Sequence, residues 1–145
     1  MGIIGSKIWI IIALITLAVS IPLANNNIAA NTARSVRETK LPDNTEYVEI
    51  FSKAGKLNGC GNGMQYLGGI LIKSELSLDD LQLYYSDYAQ HEWEYIVEKQ
   101  TDKNIGIIEH GTLLLNADIN DNNYYIVYSW GDNNSFFRNF DIRGH

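Results

Sequence analysis

The order of hydrophobic and polar positions divides the chain into three parts. Residues 8–24 carry no charge and are almost entirely apolar. Residues 25–40 begin with three successive asparagines and show no apolar period. From Leu41 onward, short apolar runs alternate with turn residues, as in a small folded domain. The pattern predicts a membrane anchor or signal segment over residues 1–24, a flexible basic stalk over 25–40 and one domain over 41–145.

An amphipathic helix is the clearest predicted element of the domain. Ser77 can cap its first turn, Asp80 stands at the spacing of a capping box, and Asp79 and Asp80 complement the positive end of the helix dipole. Apolar side chains then recur at intervals of three and four: Leu78, Leu81, Tyr84, Tyr85 and Tyr88. This stripe predicts a helix that covers an apolar sheet.

Strand signals lie on both sides of this helix. Residues 46–51 alternate, and residues 64–73 are apolar enough for a central strand, with a bulge or a close backbone approach expected at Gly68-Gly69. Two Asn-Gly pairs in the glycine-rich segment 55–63 predict a tight connection between these two strands. The sequence thus places two strands before the helix.

Further strands are predicted after the helix. Residues 94–98 alternate charged and bulky side chains, and residues 112–117 and 124–130 flank a polar hairpin loop. Another strand can begin at residues 105–108, and residues 136–145 read as a short edge strand. The sum is β-β-α-β-β-β, an α+β fold with one helix on an antiparallel sheet in two layers.

The apolar segment has nearly the length of a membrane span. Residues 8–24 number 17, and a snorkelling Lys7 would extend the apolar stretch through Ile3 and Ile4 to about 22 residues. This favours a retained single-pass anchor that contacts the lipid bilayer through residues 8–24. A cleaved secretory signal is the alternative, because Ala18-Val19-Ser20 offers small residues, and the domain would then be secreted. A buried core helix is the third interpretation.

Basic residues on the two sides of the segment bear on its orientation. Lys7 precedes it directly, whereas Arg34, Arg37 and Lys40 follow at a distance of 10 to 16 residues. Because Lys7 abuts the membrane and the leader is short, we expect a protein of the cell membrane with its C-terminal domain outside the cytoplasm.

One segment of the domain carries a resemblance. Residues 55–64, followed by the predicted strand and by Leu81-x-x-Tyr84-Tyr85, resemble a group of small, uncharacterised single-pass membrane proteins of Gram-positive bacteria. The resemblance covers residues 41–128 and implies a bacterial membrane protein. It implies no activity, catalytic residue or ligand. The many Asn, Ile and Lys residues are typical of an AT-rich genome.

Charge and cysteine content exclude several classes of function. From Leu41 onward there are seven Lys and Arg against sixteen Asp and Glu, a net formal charge of −9, compared with −6 for the whole chain. Such an acidic surface repels phosphate backbones, so no nucleic acid partner is expected. A single cysteine, Cys60, allows no intramolecular disulfide and no multi-cysteine zinc site.

Cys60 and the acidic loop at residues 118–123 are the two segments that could carry a reaction or bind a ligand. Cys60 would become a nucleophile only if His110 or His91 came within hydrogen-bond reach. The glycine loop around it could also bind an anion through backbone N–H groups, although it lacks a phosphate-loop motif. A plain hairpin turn is the preferred interpretation of this segment.

Residues 118–123 suggest a second site. Asp118, Asn120 and Asp121 offer oxygen ligands for calcium, although Asn123 and Ser129 stand where an EF-hand needs Gly and Glu. We favour a solvated loop tip over this loose calcium site.

The remaining polar groups predict surface roles. His91, His110 and His145 are scattered, and Glu109-His110 has no metal-ligand spacing. Glu92, Glu94 and Glu98 would form an acidic stripe on one strand rather than the facing pair that glycoside hydrolysis needs. We therefore expect no catalytic residue, no cofactor and no metal.

Aromatic residues give the one positive indication of a binding surface. They are Tyr84, Tyr85, Tyr88, Trp93, Tyr95, Tyr124, Tyr125, Tyr128, Trp130, Phe136 and Phe137. Neighbours such as Tyr124 and Tyr125 must point to opposite faces of a strand, so one ring faces away from the helix. We interpret the protein as a non-catalytic interaction or accessory module that binds an envelope protein through the uncovered sheet face. Alternatives are binding of a wall sugar or calcium, a cysteine-dependent envelope enzyme, and burial of the rings under the C-terminal tail.

Overall fold

The computed structural model describes residues 3–88, 94–131 and 135–145, and it has the predicted α+β class. Its helices are α1 (Ile3–Glu38) and α2 (Leu78–Ser86), and its strands are β1 (Thr45–Gly55), β2 (Gln65–Ser74), β3 (Ile96–Lys99) and β4 (Tyr124–Trp130). The four strands form one antiparallel sheet in the order β1-β2-β4-β3. Two 3-10 turns follow, Phe136–Phe140 and Ile142–Gly144. The long N-terminal helix, the sheet and the packed helix confirm the predicted class.

Helix α1 corrects the prediction of a flexible stalk over residues 25–40. The helix continues through this region to Glu38 and packs on β1, β2 and β4. Its buried side is formed by residues spaced by three or four: Ile21, Asn25, Ala29, Ala33 and Val36. Most of these side chains are small or polar, so the buried side produces no apolar period in the sequence.

Small residues let α1 approach β2 closely. A Cβ atom on Gly68 would lie 2.3 Å from Ala33 N and 2.7 Å from Ala29 O, so only glycine fits. A close approach was one of the two expectations for Gly68-Gly69, and it occurs between the helix and the strand backbone. The middle of α1 is thereby part of the core.

Helix α2 begins as its sequence predicts. The Ser77 hydroxyl accepts a hydrogen bond from Asp80 N at 3.2 Å and donates one to Asp80 Oδ2 at 2.5 Å. Leu81 and Tyr85 are fully buried and pack with Ile70, Ile72, Val97 and Val127 on the sheet face that α1 also covers. The cap and the apolar stripe thus place α2 correctly.

The opposite sheet face is covered, which corrects the prediction of an open face. Residues 100–123 lie over it and bury Ile105, Ile108 and Leu115 against Leu67, Leu71 and Ile126 on the sheet. Within this segment the structure has one isolated bridge, Asn104 with Leu114, in place of the strands predicted over residues 105–108 and 112–117.

A side-chain acceptor takes up backbone N–H groups at the end of the predicted strand 112–117. The Glu49 carboxylate on β1 accepts hydrogen bonds from Asn116 N at 3.0 Å and Ala117 N at 2.9 Å, which a ladder would otherwise use. Burial alone would raise the pKa of Glu49, but these amide hydrogen bonds lower it below its ordinary value. Residues 136–145 likewise form 3-10 turns in place of the predicted edge strand.

Candidate functional site

The first half of α1 exposes apolar side chains in all directions. Within the helix, the segment Lys7–Glu38 includes an 18-residue window of mean hydropathy 2.2, of which 11% is buried in the protein. Its exposed residues include Ile8, Trp9, Ile10, Ile11, Ile12, Leu14, Ile15, Leu17 and Val19. The helix is long and apolar enough to cross a membrane. The exposure of these residues is inconsistent with a core helix.

A buried polar cluster joins α1 to the C-terminal turns where the apolar stretch ends. Asn25 is fully buried, donates from Nδ2 to Asp141 Oδ2 at 2.9 Å and accepts from the Tyr66 hydroxyl at 2.8 Å. Arg143 donates to both oxygens of Asp141, at 2.9 and 2.7 Å. The cluster fixes the last turns of the chain against the helix and the start of β2.

The same arginine also binds the helix backbone. Arg143 Nη2 donates to Pro22 O at 3.2 Å, and Nη1 donates to Asn26 Oδ1 at 2.9 Å. The hydrogen bonds from Arg143, with a further one from Asn25, lower the pKa of Asp141 to about 2, against the opposing effect of burial. Asp141 is therefore ionised and neutralised by Arg143 at neutral pH.

A cleft of about 430 Å³ lies on the helix-covered face, between α1 and the ends of α2, β3 and β4. Helix α1 lines it with amide and hydroxyl groups of Asn31, Thr32, Ser35 and Thr39. The opposite side is lined by the aromatic residues Tyr88 and Tyr95 and by the end of β4 at Ser129 and Trp130, although the Trp130 ring packs against Tyr128 on the other sheet face. Polar groups facing aromatic rings in a cleft of this size suit a small polar ligand or a peptide side chain.

Hydrogen bonds fix one wall of this cleft. The Tyr95 hydroxyl donates to Ser35 O at 3.4 Å and accepts from Thr39 Oγ1 at 3.4 Å. The Tyr84 hydroxyl, beyond the cleft, donates to Lys40 O at 2.9 Å, and burial with the nearby Tyr88 hydroxyl raises the pKa of Tyr84 to about 12. Tyr84 therefore remains a neutral hydrogen-bonding group at physiological pH.

No family model, curated protein or solved structure matches this chain. The resemblance to small Gram-positive membrane proteins stays an expectation, and the site must be interpreted from its own geometry.

The structure brings His110 beside the cysteine loop. His110 Nε2 lies 2.9 Å from Gly59 O, and Gly59 N donates to Glu109 Oε2 at 2.9 Å. Since a carbonyl oxygen only accepts, Nε2 donates and is occupied by the loop backbone. Cys60 is exposed, and its neighbour carries these contacts. Glu109 and His110 thus act as supports of the loop, while His91 lies outside the described residues.

Residues 56–64 connect β1 to β2 as a nine-residue loop, which is longer than the tight connection predicted from the two Asn-Gly pairs. Gly59 and Gly63, the second residues of the two Asn-Gly pairs, have φ angles of 77° and 141°. Gln65 Oε1 accepts from Leu57 N at 2.8 Å and from Asn58 N at 2.7 Å, so one side chain organises the start of the loop. These contacts favour the structural interpretation of the loop over an anion-binding one.

In the acidic loop of residues 118–123, the three candidate calcium ligands each contact a different partner. Lys103 pairs with Asp118 at 2.6 Å, and Lys73 pairs with Asp121 at 2.6 Å. Both lysines lower the pKa of their partner, and Asn120 Oδ1 accepts from the Tyr124 hydroxyl at 3.3 Å. Within the described ranges, no group of three or more His, Cys, Asp or Glu residues is placed to hold a metal ion.

The predicted acidic stripe is only partly within the structure. Glu92 lies outside the described residues, as does Trp93, and Glu94 precedes β3. Glu98 Oε1 accepts from the Tyr128 hydroxyl at 2.7 Å, and burial together with Glu98 raises the pKa of Tyr128. The Glu98 carboxylate therefore holds the Tyr128 hydroxyl on the sheet face that residues 100–123 cover.

Among the residues that the structure describes, four of the eleven predicted aromatic positions, Tyr85, Tyr124, Tyr125 and Tyr128, are buried in the core. Tyr124 and Tyr125 point to opposite sheet faces as expected, but both are buried, one under residues 100–123 and the other under the helices. The large exposed rings are instead those of Phe136, Phe137 and Phe140 in the first 3-10 turn. Phe136 and Phe137 were predicted among the aromatic residues of a binding surface, and residues 136–145 were predicted as an edge strand or as a cover over other rings.

Proposed function

We propose that this protein is a single-pass membrane protein whose domain, outside the cytoplasm, binds another envelope protein without catalysing a reaction. One observation carries the proposal: α1 runs without a break from an exposed apolar stretch of spanning length into the core of the domain. The bacterial origin and the resemblance to small Gram-positive membrane proteins belong to the same proposal.

The continuous helix favours a retained anchor over a cleaved signal. Cleavage after Ser20 would leave Ile21, Asn25 and Ala29 at a free end, although these residues are buried against the domain. A signal peptide has no need of a helix that continues into the fold. A domain held directly at the membrane surface, without a flexible spacer, suits a module that meets partners in the same membrane.

The cleft beside α1 is the surface that we assign to the partner. It combines Tyr88 and Tyr95 with hydroxyl and amide groups, and tyrosine is enriched at the centres of protein interfaces. The test compares two tryptophan substitutions on α1. Asn31→Trp fills the cleft and should abolish cross-linking to the partner in intact membranes. Arg34→Trp, at an exposed position that does not line the cleft, should retain it.

The same cleft supports a second candidate, a site for a wall saccharide. Aromatic rings facing hydroxyl and amide groups are suited to stacking on a sugar and to hydrogen bonding with it. A saccharide that binds only the folded protein must raise the melting temperature of the full chain. A rise with wall fragments that disappears in Asn31→Trp would replace the protein partner by a sugar.

Membrane topology is tested separately with a C-terminal tag in intact protoplasts. An outward-facing anchored domain predicts that external protease removes the tag without lysis and that the mature chain retains residue 1. A tag that survives until lysis would reverse the orientation. A chain that begins near residue 21 would establish cleavage and a secreted domain.

A further inference from the structure

We infer that the C-terminal turns form a second membrane contact, inserting apolar side chains into the lipid headgroup region beside α1. This inference rests on the proposed membrane anchoring by α1. It concerns the surface formed by Phe136, Phe137, Phe140 and Ile142, which we name the C-terminal apolar surface.

This surface exposes an unusual amount of apolar side chain. Ile142 is 87% exposed, Phe136 75%, Phe140 58% and Phe137 41%. The three rings form one cluster, with the Phe136 centroid 5.6 Å from that of Phe137 and 5.5 Å from that of Phe140. A contiguous exposed group of this kind marks a contact with a membrane or another protein.

The position of the surface on α1 selects the membrane as its partner. The uncharged apolar stretch ends at residue 24, and the C-terminal turns are bonded to α1 across that point. Phe137 O accepts from Asn25 Nδ2 at 3.4 Å, and Arg143 binds Pro22 O and Asn26 Oδ1. The apolar side chains therefore stand where the helix leaves the hydrocarbon, which is the depth that interfacial apolar residues occupy.

Local charge fits an anionic headgroup layer. The domain has a net negative charge, yet two of its basic residues, Lys56 and Arg138, lie at this end, while the charges of Arg143 and Asp141 cancel in their ion pair. Lys56 N donates to Arg143 O at 2.8 Å. Arg138 Nη2 lies 3.2 Å from the point where a Cβ atom on Gly63 would stand. Asp141 is buried and paired with Arg143, so its charge is not presented to the lipid.

The test measures the depth of a fluorophore in vesicles that contain the full-length protein. In a Cys60→Ser background, a single label is attached to Asn139→Cys within the surface or to Asp79→Cys at the start of α2. Both positions are exposed, and the C-terminal turns bond to residues beside the start of β2, whereas α2 follows the end of β2. Vesicles of phosphatidylcholine and phosphatidylglycerol carry a lipid quencher in the headgroup region. We expect loss of most fluorescence at position 139 and no change at position 79.

Matched variants separate insertion from a nonspecific effect. In the position-139 protein, Phe136→Ser/Phe140→Ser/Ile142→Ser should abolish quenching by lipid. Leu83→Ser/Leu114→Ser removes exposed apolar side chains from other regions and should leave the quenching unchanged. All of these side chains are exposed, so the melting temperature is expected to stay the same.

The outcomes distinguish this inference from the proposed anchoring. Protein that floats with the vesicles but shows equal, weak quenching at both positions would overturn lipid contact and leave the anchor intact. Energy transfer between differently labelled copies at position 139, without lipid quenching, would also overturn it by assigning the surface to a second copy. Protein that does not float would reject the anchor and, with it, this inference.

Discussion

Two fully buried tyrosines, Tyr66 and Tyr85, differ in whether the hydroxyl group has a hydrogen-bond partner. The Tyr66 hydroxyl donates to Asn25 Oδ1 at 2.8 Å, while the Tyr85 hydroxyl has no hydrogen-bond partner among the residues that the structure describes. Burial raises the pKa of both, so both are neutral at physiological pH. A buried hydroxyl without a partner loses its hydrogen bonds to water and gains none in the folded protein. A paired hydroxyl replaces them with a hydrogen bond to the protein.

The two tyrosines therefore predict opposite effects of losing the hydroxyl. Tyr85→Phe should leave the free energy of unfolding unchanged or raise it. Tyr66→Phe should lower it by about 1 to 2 kcal/mol, because Asn25 Oδ1 is left without its donor. Urea unfolding of the full chain in detergent measures both. A loss in Tyr85→Phe as large as that in Tyr66→Phe would contradict the assignment of Tyr85 as unpartnered.

Asp141 predicts how stability depends on acid. Its pKa lies at about 2 in the folded protein, against 3.8 ordinarily, so the folded state favours the ionised form. Stability from this group is fully present above about pH 4 and is lost as the pH falls towards 2, and the difference corresponds to about 2 kcal/mol. The measurement compares urea unfolding of wild type and Asp141→Asn across that range. The variant should be less stable at pH 5, with the gap narrowing towards pH 2.

If the difference in the free energy of unfolding between wild type and Asp141→Asn did not change with pH, Asp141 would stabilise the fold through its shape rather than its charge. Other carboxylates with lowered pKa values, such as Glu49, contribute equally to both proteins and so cancel in the comparison.

At the scale of elements, the crossing of α1 over β2 depends on Gly68. Gly68→Ala would put a methyl group 2.3 Å from Ala33 N, a contact that only a displacement of the helix can relieve. We expect a loss of at least about 2 kcal/mol in the free energy of unfolding. Gly106→Ala is the matched control, since its Cβ would meet nothing within 4 Å, and it should change stability by less than about 0.5 kcal/mol. Equal effects of the two substitutions would contradict the close packing of α1.

The predictable elements are those whose signals are local. Helix α2 was predicted from Ser77, Asp80 and the stripe through Leu81 and Tyr85, and the strands were predicted from short apolar runs. The packing of α1 was missed because its buried side uses Asn25, Ala29 and Ala33, which no hydrophobic period reveals. Residues 105–108 and 112–117 were predicted as strands, but Glu49, distant in sequence, takes up the backbone N–H groups of Asn116 and Ala117.

The candidate surfaces were less predictable for the same reason. Asn25 and Asp141 are 116 residues apart, and neither stands in a motif that indicates a contact with the other. An excess of aromatic residues was recognised, but the sequence could not show which rings are buried. The exposed apolar side chains of the C-terminal turns could be recognised as a surface only from their attachment to α1, which is a tertiary contact.

At the scale of the whole molecule, one helix couples the membrane segment to the domain. Helix α1 continues through Pro22, whose carbonyl accepts from Arg143, and its side chains Asn25, Ala29, Ala33 and Val36 lie in the core. In the proposed anchored protein, packing rather than a tether sets the orientation of the domain relative to the bilayer. The C-terminal turns, which we infer to contact lipid, are bonded to the helix at residues 22–26.

This coupling predicts that the domain cannot fold without the middle of α1. A chain of residues 41–145 would expose the sheet face around Tyr66, Gly68 and Ile70 that Ala29, Ala33 and Val36 cover. We expect it to lose its near-ultraviolet circular dichroism and to unfold without a cooperative transition. A chain of residues 19–145 lacks most of the apolar segment but retains all of these contacts, and it should unfold cooperatively. If residues 41–145 unfolded cooperatively at the same urea concentration as residues 19–145, α1 would contribute nothing to the core. Residues 25–40 would then act only as a connection to the membrane, as their sequence first indicates.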